Sequence, residues 1–160
     1  MTGHEKTVVL IKPDALQRGL VGEIVRRFER KGLKIVGMKM IDLGGELVEN
    51  WYSHIKDEDF FPRVRDFMTS TPVVAVVIEG FKAVEVVRRL AGIERKGYAA
   101  EMGSIRGDFS MSGGQNVVHS SDSVESAKRE LELLFNKNEL FEYESATECL
   151  IYDADEKVNL

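Results

Sequence analysis

The sequence predicts an α/β domain in which strands alternate with helices. Continuous apolar runs, rich in β-branched residues, occur at 7–11 and 73–78 and are typical of buried strands. Between and after these runs, apolar residues recur at the spacing of an amphipathic helix. The resulting order β-α-β-α-β-α-loop-β-α fits a doubly wound parallel sheet and also a split β-α-β ferredoxin-like antiparallel sheet. The pattern by itself does not choose between these two topologies.

Composition and charge limit the classes of protein that fit. The 160 residues are expected to form one domain over 1–160, with a mobile tail at about 153–160. A formal net charge of −5 argues against a protein dedicated to nucleic-acid binding. Cys149 is the one cysteine, which excludes a disulfide framework and fits a reducing compartment. No apolar run approaches the roughly 20 residues of a membrane-spanning helix, so no membrane is expected as a partner.

The first half of the chain is predicted to contain two strands and three helices. A strand over 7–11 is followed by a helix that stops at Gly32 and whose apolar face comprises Val21, Ile24, Val25 and Phe28. A strand over 33–41 is expected to alternate strictly, with one face formed by Ile35, Gly37, Lys39 and Ile41 and the other by Val36, Met38 and Met40. Helices are then expected over 46–55 and 60–68.

The second half begins with the strongest strand pattern in the chain, at 72–78, and Gly80 is expected to end that strand. The spacing of apolar residues predicts a helix over 83–90 that ends near Gly92. From 92 to 115 no periodicity is visible. A loop of this length within a compact domain is usually either functional or disordered.

The stretch after this loop is the centre of the prediction. Two valines at 117–118 predict a short strand that delivers His119 to its end. Asp122 or Ser123 is expected to cap the helix that follows, and the inward residues of that helix are expected to be Val124, Ala127, Leu131, Leu134 and Phe135. The last packed segment is expected at 150–152.

Three cations and one imidazole stand at element ends or in the loop, and together they suggest a polyphosphate site with a nucleophile. The cations are Lys12, Arg88 and Arg106, and arginine and lysine are the side chains that bind phosphate best. His119 is the candidate nucleophile, since most of an unperturbed imidazole is neutral near pH 7. Structural roles are available for each residue alone: a hydrogen-bonded core histidine, a lysine at a strand edge, and an arginine at a helix C-terminus.

Several segments, in the right order, resemble the nucleoside diphosphate kinase family. The resemblance runs from about residue 7 to about residue 152 and rests on Ile11-Lys12-Pro13-Asp14, Gln17-Arg18-Gly19-Leu20-Val21-Gly22-Glu23-Ile24, Pro72-Val73-Val74-Ala75, Ile105-Arg106-Gly107-Asp108-Phe109 and Asn116-Val117-Val118-His119-Ser120-Ser121-Asp122-Ser123-Val124-Glu125-Ser126-Ala127. It implies a ferredoxin-like split β-α-β fold of the α/β (α+β) class, with a four-stranded antiparallel sheet covered by helices.

The resemblance also implies an activity. A nucleoside triphosphate, usually ATP, would give its γ-phosphoryl group to His119, and a nucleoside diphosphate would take it in a second step. Mg²⁺ would be held mainly by the nucleotide phosphates, with no metal ligands supplied by the protein. The protein would be a cytoplasmic homo-oligomer, expected as a hexamer, with nucleoside triphosphates and diphosphates as its small-molecule partners.

Residue roles follow from matching positions. The resemblance implies contacts to phosphates and sugar by Lys12, Arg88, Arg106 and Asn116, and stacking on the base by Phe60. It places Tyr52 and Ser121 near the histidine, with Ser121 close to the transferred group. It assigns to Glu130 the orientation of the imidazole.

The loop before the Ile105-Arg106 pair departs from the family pattern. Glu94 stands where a threonine that contacts phosphate is expected, and the loop is about one residue longer. Because a carboxylate beside phosphates is repulsive, Glu94 is expected to point away. The altered loop keeps open a non-catalytic nucleotide-binding protein as an alternative. A ferredoxin-like nucleic-acid module is a further alternative, against which the acidic charge balance weighs.

Overall fold

The computed structural model describes residues 4–153 and places four strands in one sheet. The strands are β1 (His4–Ile11), β2 (Lys34–Ile41), β3 (Val73–Phe81) and β4 (Val118–Ser120). They lie side by side in the order β2-β3-β1-β4, and each neighbouring pair is antiparallel. This is the split β-α-β ferredoxin-like arrangement, so the antiparallel prediction is confirmed and the parallel alternative is wrong. The expected tail at 153–160 lies, apart from Asp153, outside the described residues.

The helices of the described chain connect the strands and cover the sheet. They are α1 (Pro13–Gln17), α2 (Val21–Arg30), α3 (Gly45–Trp51), α4 (Phe61–Met68), α5 (Ala83–Ala91), α6 (Ile105–Phe109), α7 (Val124–Leu134) and α8 (Glu148–Ile151). Short 3₁₀ turns occur at Ser53–Ile55, Gly97–Ala99 and Lys137–Glu139. None of the helices within 4–153 is both long and apolar enough to cross a membrane.

Both faces of the sheet are buried at its centre, which explains the continuous apolar runs at 8–11 of β1 and at 73–78 of β3. Successive side chains of a strand point to opposite faces. Val9 and Ile11 therefore pack with the core that α2 and α5 complete, whereas Val8 and Leu10 pack with the core formed by α3, α4 and α7. All four of these side chains are fully buried. The strand that carries Lys12 at its end is thus held from both sides.

Strand β2 does not alternate strictly, because it contains a bulge. Ile35 is opposite Ile78, but Gly37 is opposite Val77, so Val36 is the extra residue between two pairs. Ile35 consequently faces one core, and Ile41 faces the other. The prediction that these two isoleucines share a face is wrong, since a single inserted residue reverses the order of faces.

Strand β3 continues past Gly80, contrary to the prediction. Gly80 pairs with Glu5 of β1 inside the sheet. A β-carbon at position 80 would lie 2.7 Å from Cδ2 of Leu33, so the glycine accommodates a close side chain and does not mark a turn.

Other boundaries also differ from the predictions. The helix expected over 46–55 ends at Trp51 and is followed by a 3₁₀ turn, and the stretch from 92 to 115 contains α6 and another turn. Val124 is 52% exposed and Leu150 is 82% exposed, so neither packs inward as expected. Periodicity identified the helix that contains Val124, but a residue in the first turn can satisfy the spacing without a partner; the short helix that contains Leu150 was not predicted.

Candidate active site

A cavity of about 1000 Å³ opens at the end of β1 and β4 where the loop from α5 to α6 approaches the sheet. All the predicted site residues except Ser121 line this cavity, namely Lys12, Tyr52, Phe60, Arg88, Arg106, Asn116, His119 and Glu130. The fold therefore brings together residues that are separated by more than a hundred positions in the chain. Cavity residues for which no site role was predicted include Trp51, Arg63, Arg95, Asp122 and Arg129.

His119 lies in the middle of the short strand β4, and its ring is held by Glu130 of α7. Nε2 of the imidazole is 3.0 Å from each carboxylate oxygen of Glu130, which is itself only 3% exposed. A carboxylate can only accept hydrogen bonds, so Nε2 donates its proton to Glu130. The lone pair of the neutral ring then resides on Nδ1, the atom suited to nucleophilic attack.

Ser121 lies behind this pair and not in the cavity. It is fully buried, and its hydroxyl donates a 2.7 Å hydrogen bond to Oε2 of Glu130. Oγ of Ser121 in turn accepts from the backbone N–H of Val8 at 3.3 Å. The expectation that Ser121 lies close to the transferred group is corrected by this geometry: Ser121 contacts the carboxylate that orients the histidine.

Trp51 supports the imidazole from another side. Its indole and the His119 ring meet edge to face, with centroids 5.2 Å apart and planes at 77°. Trp51 is the only tryptophan of the sequence and is 3% exposed. Trp51 falls in the helix that was predicted over 46–55, but only the packing of α3 against the sheet shows that its ring contacts the histidine.

The backbone beside the histidine is strained. Val117 has φ of 58°, a left-handed conformation that β-branched residues rarely adopt. Its N–H donates to Oδ2 of Asp14 at 3.1 Å, and its carbonyl accepts from the N–H of Lys12 at 2.9 Å. The prediction that Val117 belongs to the strand is therefore wrong, and β4 begins at Val118. These two bonds tie the segment between Asn116 and His119, which both line the cavity, to the residues that follow β1.

Lys12 and Asn116 form a hydrogen-bond network at the wall of the cavity. The ammonium of Lys12 donates to Oδ1 of Asn116 at 2.5 Å, and Nδ2 of Asn116 donates to the carbonyls of Arg95 at 2.9 Å and Gly113 at 3.0 Å. Burial, and after it the nearby charge of Arg106, lower the pKa of Lys12 to about 7, although the carboxylate of Asp14 acts in the opposite direction. Lys12 is thus poised to gain a proton when an anion enters.

At about pH 8 we expect the protein to take up nearly one proton for each ADP that it binds. Lys12, whose pKa is about 7 in the free protein, is mostly neutral at that pH, and the bound phosphate raises its pKa so that it becomes protonated. Below the pKa of the free protein Lys12 is already charged, so the uptake should vanish as the pH falls. Calorimetric enthalpies in buffers of different ionisation enthalpy measure this uptake. Lys12→Met should abolish it, whereas Lys31→Met, at an exposed site outside the cavity, should retain it. Binding without proton uptake in the unsubstituted protein would contradict the prediction.

Arg106 joins the loop to the strand of the histidine. One terminal nitrogen of its guanidinium donates to the carbonyl of Gly92, and the other donates to the carbonyl of Val118 at 2.8 Å. Burial lowers the pKa of Arg106 to about 10, and the charges of Arg95 and Arg88 act in the same direction. Arg106 remains a cation near neutral pH and is locked in place at the cavity wall.

The remaining predicted residues surround this centre. Phe60 is 40% exposed at the cavity, immediately before α4, and offers an aromatic face. Burial raises the pKa of the Tyr52 phenol to about 12, so its hydroxyl stays protonated. The carboxylate of Glu94 accepts from the backbone N–H of Lys96 at 2.9 Å and does not line the cavity, in agreement with the expectation that it points away.

The helix after the histidine is capped by Ser123, whose Oγ accepts from the N–H of Ser126 at 3.0 Å. This decides between the two predicted caps. Asp122 remains exposed at the cavity, and a hydrogen bond from Ser126 lowers its pKa. Among the side chains that the structure describes, which within 4–153 leave out that of His54, no group of three or more histidine, cysteine, aspartate or glutamate residues converges as a metal site.

A ferredoxin-like sheet that presents an oriented imidazole among several cations defines a phosphoryl-transfer protein with a histidine nucleophile. The model of the nucleoside diphosphate kinase family matches residues 5–140, and the chain therefore belongs to that family. Its enzyme class is that of a nucleotide phosphotransferase.

Relatives and solved structures agree with this assignment. A nucleoside diphosphate kinase of Archaeoglobus fulgidus is 50% identical over 149 residues, which cover 93% of this chain and 98% of the relative. That of Pyrococcus horikoshii is 52% identical and covers 92% of this chain and 96% of the relative. The structure of a halophilic nucleoside diphosphate kinase from Halobacterium salinarum in complex with CDP is similar with a TM-score of 0.90 and 40% identity, covering 93% of this chain and 99% of that one.

Proposed function

We propose that this protein transfers the γ-phosphoryl group of a nucleoside triphosphate to a nucleoside diphosphate and that His119 carries the group between them. The observation that supports His119 most directly is its contact with Glu130, which leaves Nδ1 as the ring nitrogen with a lone pair at the cavity. In the first step Nδ1 attacks the γ-phosphorus, and the bond to the β–γ bridging oxygen breaks. The diphosphate leaves with that electron pair.

The second step reverses the first with a different nucleotide. A terminal oxygen of the incoming diphosphate attacks the phosphorus, the P–N bond breaks, and the electron pair returns to Nδ1. Glu130 stabilises the positive charge that the ring acquires while it carries the phosphoryl group, since its carboxylate accepts the Nε2 proton. Ser121 acts in this proposal as a positioning residue, because its hydrogen bond holds Glu130.

The cationic lining supports the binding of a polyphosphate. Lys12, Arg88 and Arg106 neutralise the phosphates, and charge-assisted hydrogen bonds from such groups are the strong ones. Asn116 holds Lys12 in place, and the second lone pair of its Oδ1 is available to accept from a sugar hydroxyl. Tyr52, which stays protonated, offers a phenolic hydroxyl beside the histidine. Phosphoryl transfer requires mainly positioning and charge neutralisation, which this set supplies.

Phe60 is proposed to stack on the base. An exposed aromatic ring at the cavity mouth fits this role, and stacking accepts any base because each has a π-face. The related Halobacterium salinarum protein was solved with CDP, a pyrimidine nucleotide. We infer broad acceptance of nucleosides by this chain on the same physical ground.

Mg²⁺ is proposed to enter with the nucleotide. The donor set of the cavity fits this role, since its cations face phosphate and its carboxylates are few. Glu130 is occupied by His119, whereas Asp122 is exposed at the cavity and could contact water bound to the ion. When bound, the ion would neutralise charge on the phosphates.

We also propose that the protein forms a homo-oligomer, expected as a hexamer, and that it is located in the cytoplasm. The edge strand β2 exposes Met38 by 56% and Met40 by 61%, and apolar side chains on an open sheet edge favour association with a second copy. The free, exposed Cys149 favours a reducing compartment.

Incubation with γ-labelled ATP and Mg²⁺, followed by a chase with GDP, tests the function. We expect label on the protein that is acid-labile and base-stable, as a phosphohistidine is, and its release as GTP. Bound nucleotide without label would contradict the proposal and favour the non-catalytic alternative. A gel-shift assay at moderate salt should show no retention of nucleic acid, which would exclude the alternative of a ferredoxin-like nucleic-acid module.

A further inference from the structure

We propose that Arg95 is a fourth cation that binds the phosphates of the nucleotide, beside Lys12, Arg88 and Arg106. This inference rests on the function proposed above and extends its binding site to the loop between α5 and α6. The sequence analysis did not single out Arg95, since it lies in the stretch without periodicity.

The first observation is where the backbone of Arg95 is fastened. Its carbonyl accepts a 2.9 Å hydrogen bond from Nδ2 of Asn116, whose Oδ1 accepts from the ammonium of Lys12 at 2.5 Å. One amide side chain thus connects Arg95 to the lysine at the end of β1. This hydrogen bond fixes the backbone of the loop beside the cavity at Arg95, so the side chain of Arg95 starts from an anchored position.

The second observation is the side chain itself. Arg95 is exposed, lines the cavity, and lies close enough to Lys12 and Arg106 that its charge lowers the pKa of both. The ion pairs found across residues 4–153 involve other cations, for example Arg27 with Asp108 and Arg89 with Glu85. Arg95 therefore adds an uncompensated charge to a cluster of like charges.

Like charges that converge in this way repel one another until an anion binds. The neighbouring carboxylate of Glu94 does not supply that anion within the cavity, because it accepts from the backbone N–H of Lys96. A nucleotide phosphate relieves the repulsion for all of these cations at once. The planar guanidinium also matches two phosphate oxygens, which a point charge does not.

Titration of ADP with Mg²⁺ into Arg95→Ala and Arg95→Gln, by calorimetry, tests the proposal. We expect both variants to lose about tenfold or more in ADP affinity, since a charge-assisted contact is lost. Adenosine has no phosphate, so its affinity should be unchanged. Arg89→Ala is the matched control, because it removes the same charge from an exposed arginine that pairs with Glu85 at 3.0 Å and does not line the cavity.

Variants of Arg95 that bind ADP as tightly as Arg89→Ala does would overturn the inference, as would an Arg95→Gln protein with unchanged affinity. The proposed function fails separately, if the unsubstituted protein binds ADP but acquires no label from γ-labelled ATP. A tenfold loss at Arg95 together with labelling of the unsubstituted protein supports both.

Discussion

Replacement of His119 with alanine is expected to abolish phosphoryl exchange between ATP and GDP while leaving ADP bound. Nδ1 is the lone-pair nitrogen that Glu130 leaves available at the cavity, and His4, the other histidine whose side chain the structure describes, does not line it. The cations that hold the phosphates are untouched by the change. Exchange is measured by the conversion of labelled ATP and GDP to GTP, and binding by calorimetry.

His4→Ala provides the matched control for this substitution. His4 lies at the start of β1, 3.7 Å from Glu79, and is not a cavity residue. Its loss should leave the exchange rate unchanged. A His119→Ala protein that still exchanges phosphoryl groups at the unsubstituted rate would show that the nucleophile has been assigned to the wrong residue.

Loss of either Arg88 or Arg106 is expected to slow phosphorylation of the protein about a hundredfold, by analogy with removal of one donor that stabilises developing charge, which costs on the order of 3 kcal/mol. The two arginines should differ in their effect on stability. Arg106 is 7% exposed and bridges the carbonyls of Gly92 and Val118, whereas Arg88 is half-buried near the C-terminus of α5.

We therefore expect Arg106→Ala to lower the free energy of unfolding by about 1–3 kcal/mol, since two buried carbonyls lose their donors. Arg88→Ala should cost about 0.3–1 kcal/mol, the value of a cation near a helix C-terminus. Single-turnover labelling measures the rates and urea denaturation the stabilities. Unchanged rates in both variants would refute the cationic site, and equal stabilities would refute the bridging role of Arg106.

The local sequence determined the elements that carry the site. Apolar runs buried on both faces identified β1 and β3, and helical spacing identified α2, α4, α5 and α7, because these signals depend only on periods of two and 3.6 residues. The family motifs identified His119, Lys12 and Glu130 before any geometry was known. Their residue types already implied binding of phosphate by a nucleophilic site.

The tertiary structure alone decided how these elements meet. The choice between parallel and antiparallel strands depends on which edges pair, and periodicity is the same in both cases. The bulge at Val36 and the positive φ of Val117 result from packing against β3 and from hydrogen bonds to the segment after β1. Local patterns contain no information about such long-range contacts.

The placement of Arg95, Trp51 and Ser121 shows the same division. Each lies in a stretch that the pattern either located or left as a loop, yet each contacts a residue of another segment: Asn116, His119 and Glu130 respectively. The sequence therefore determined the class of chemistry and most of the residues that perform it. Which nitrogen of the His119 ring donates to Glu130, and which side chains hold the ring in place, follow only from folding, because hydrogen bonds and ring contacts require positions in space that residue spacing does not specify.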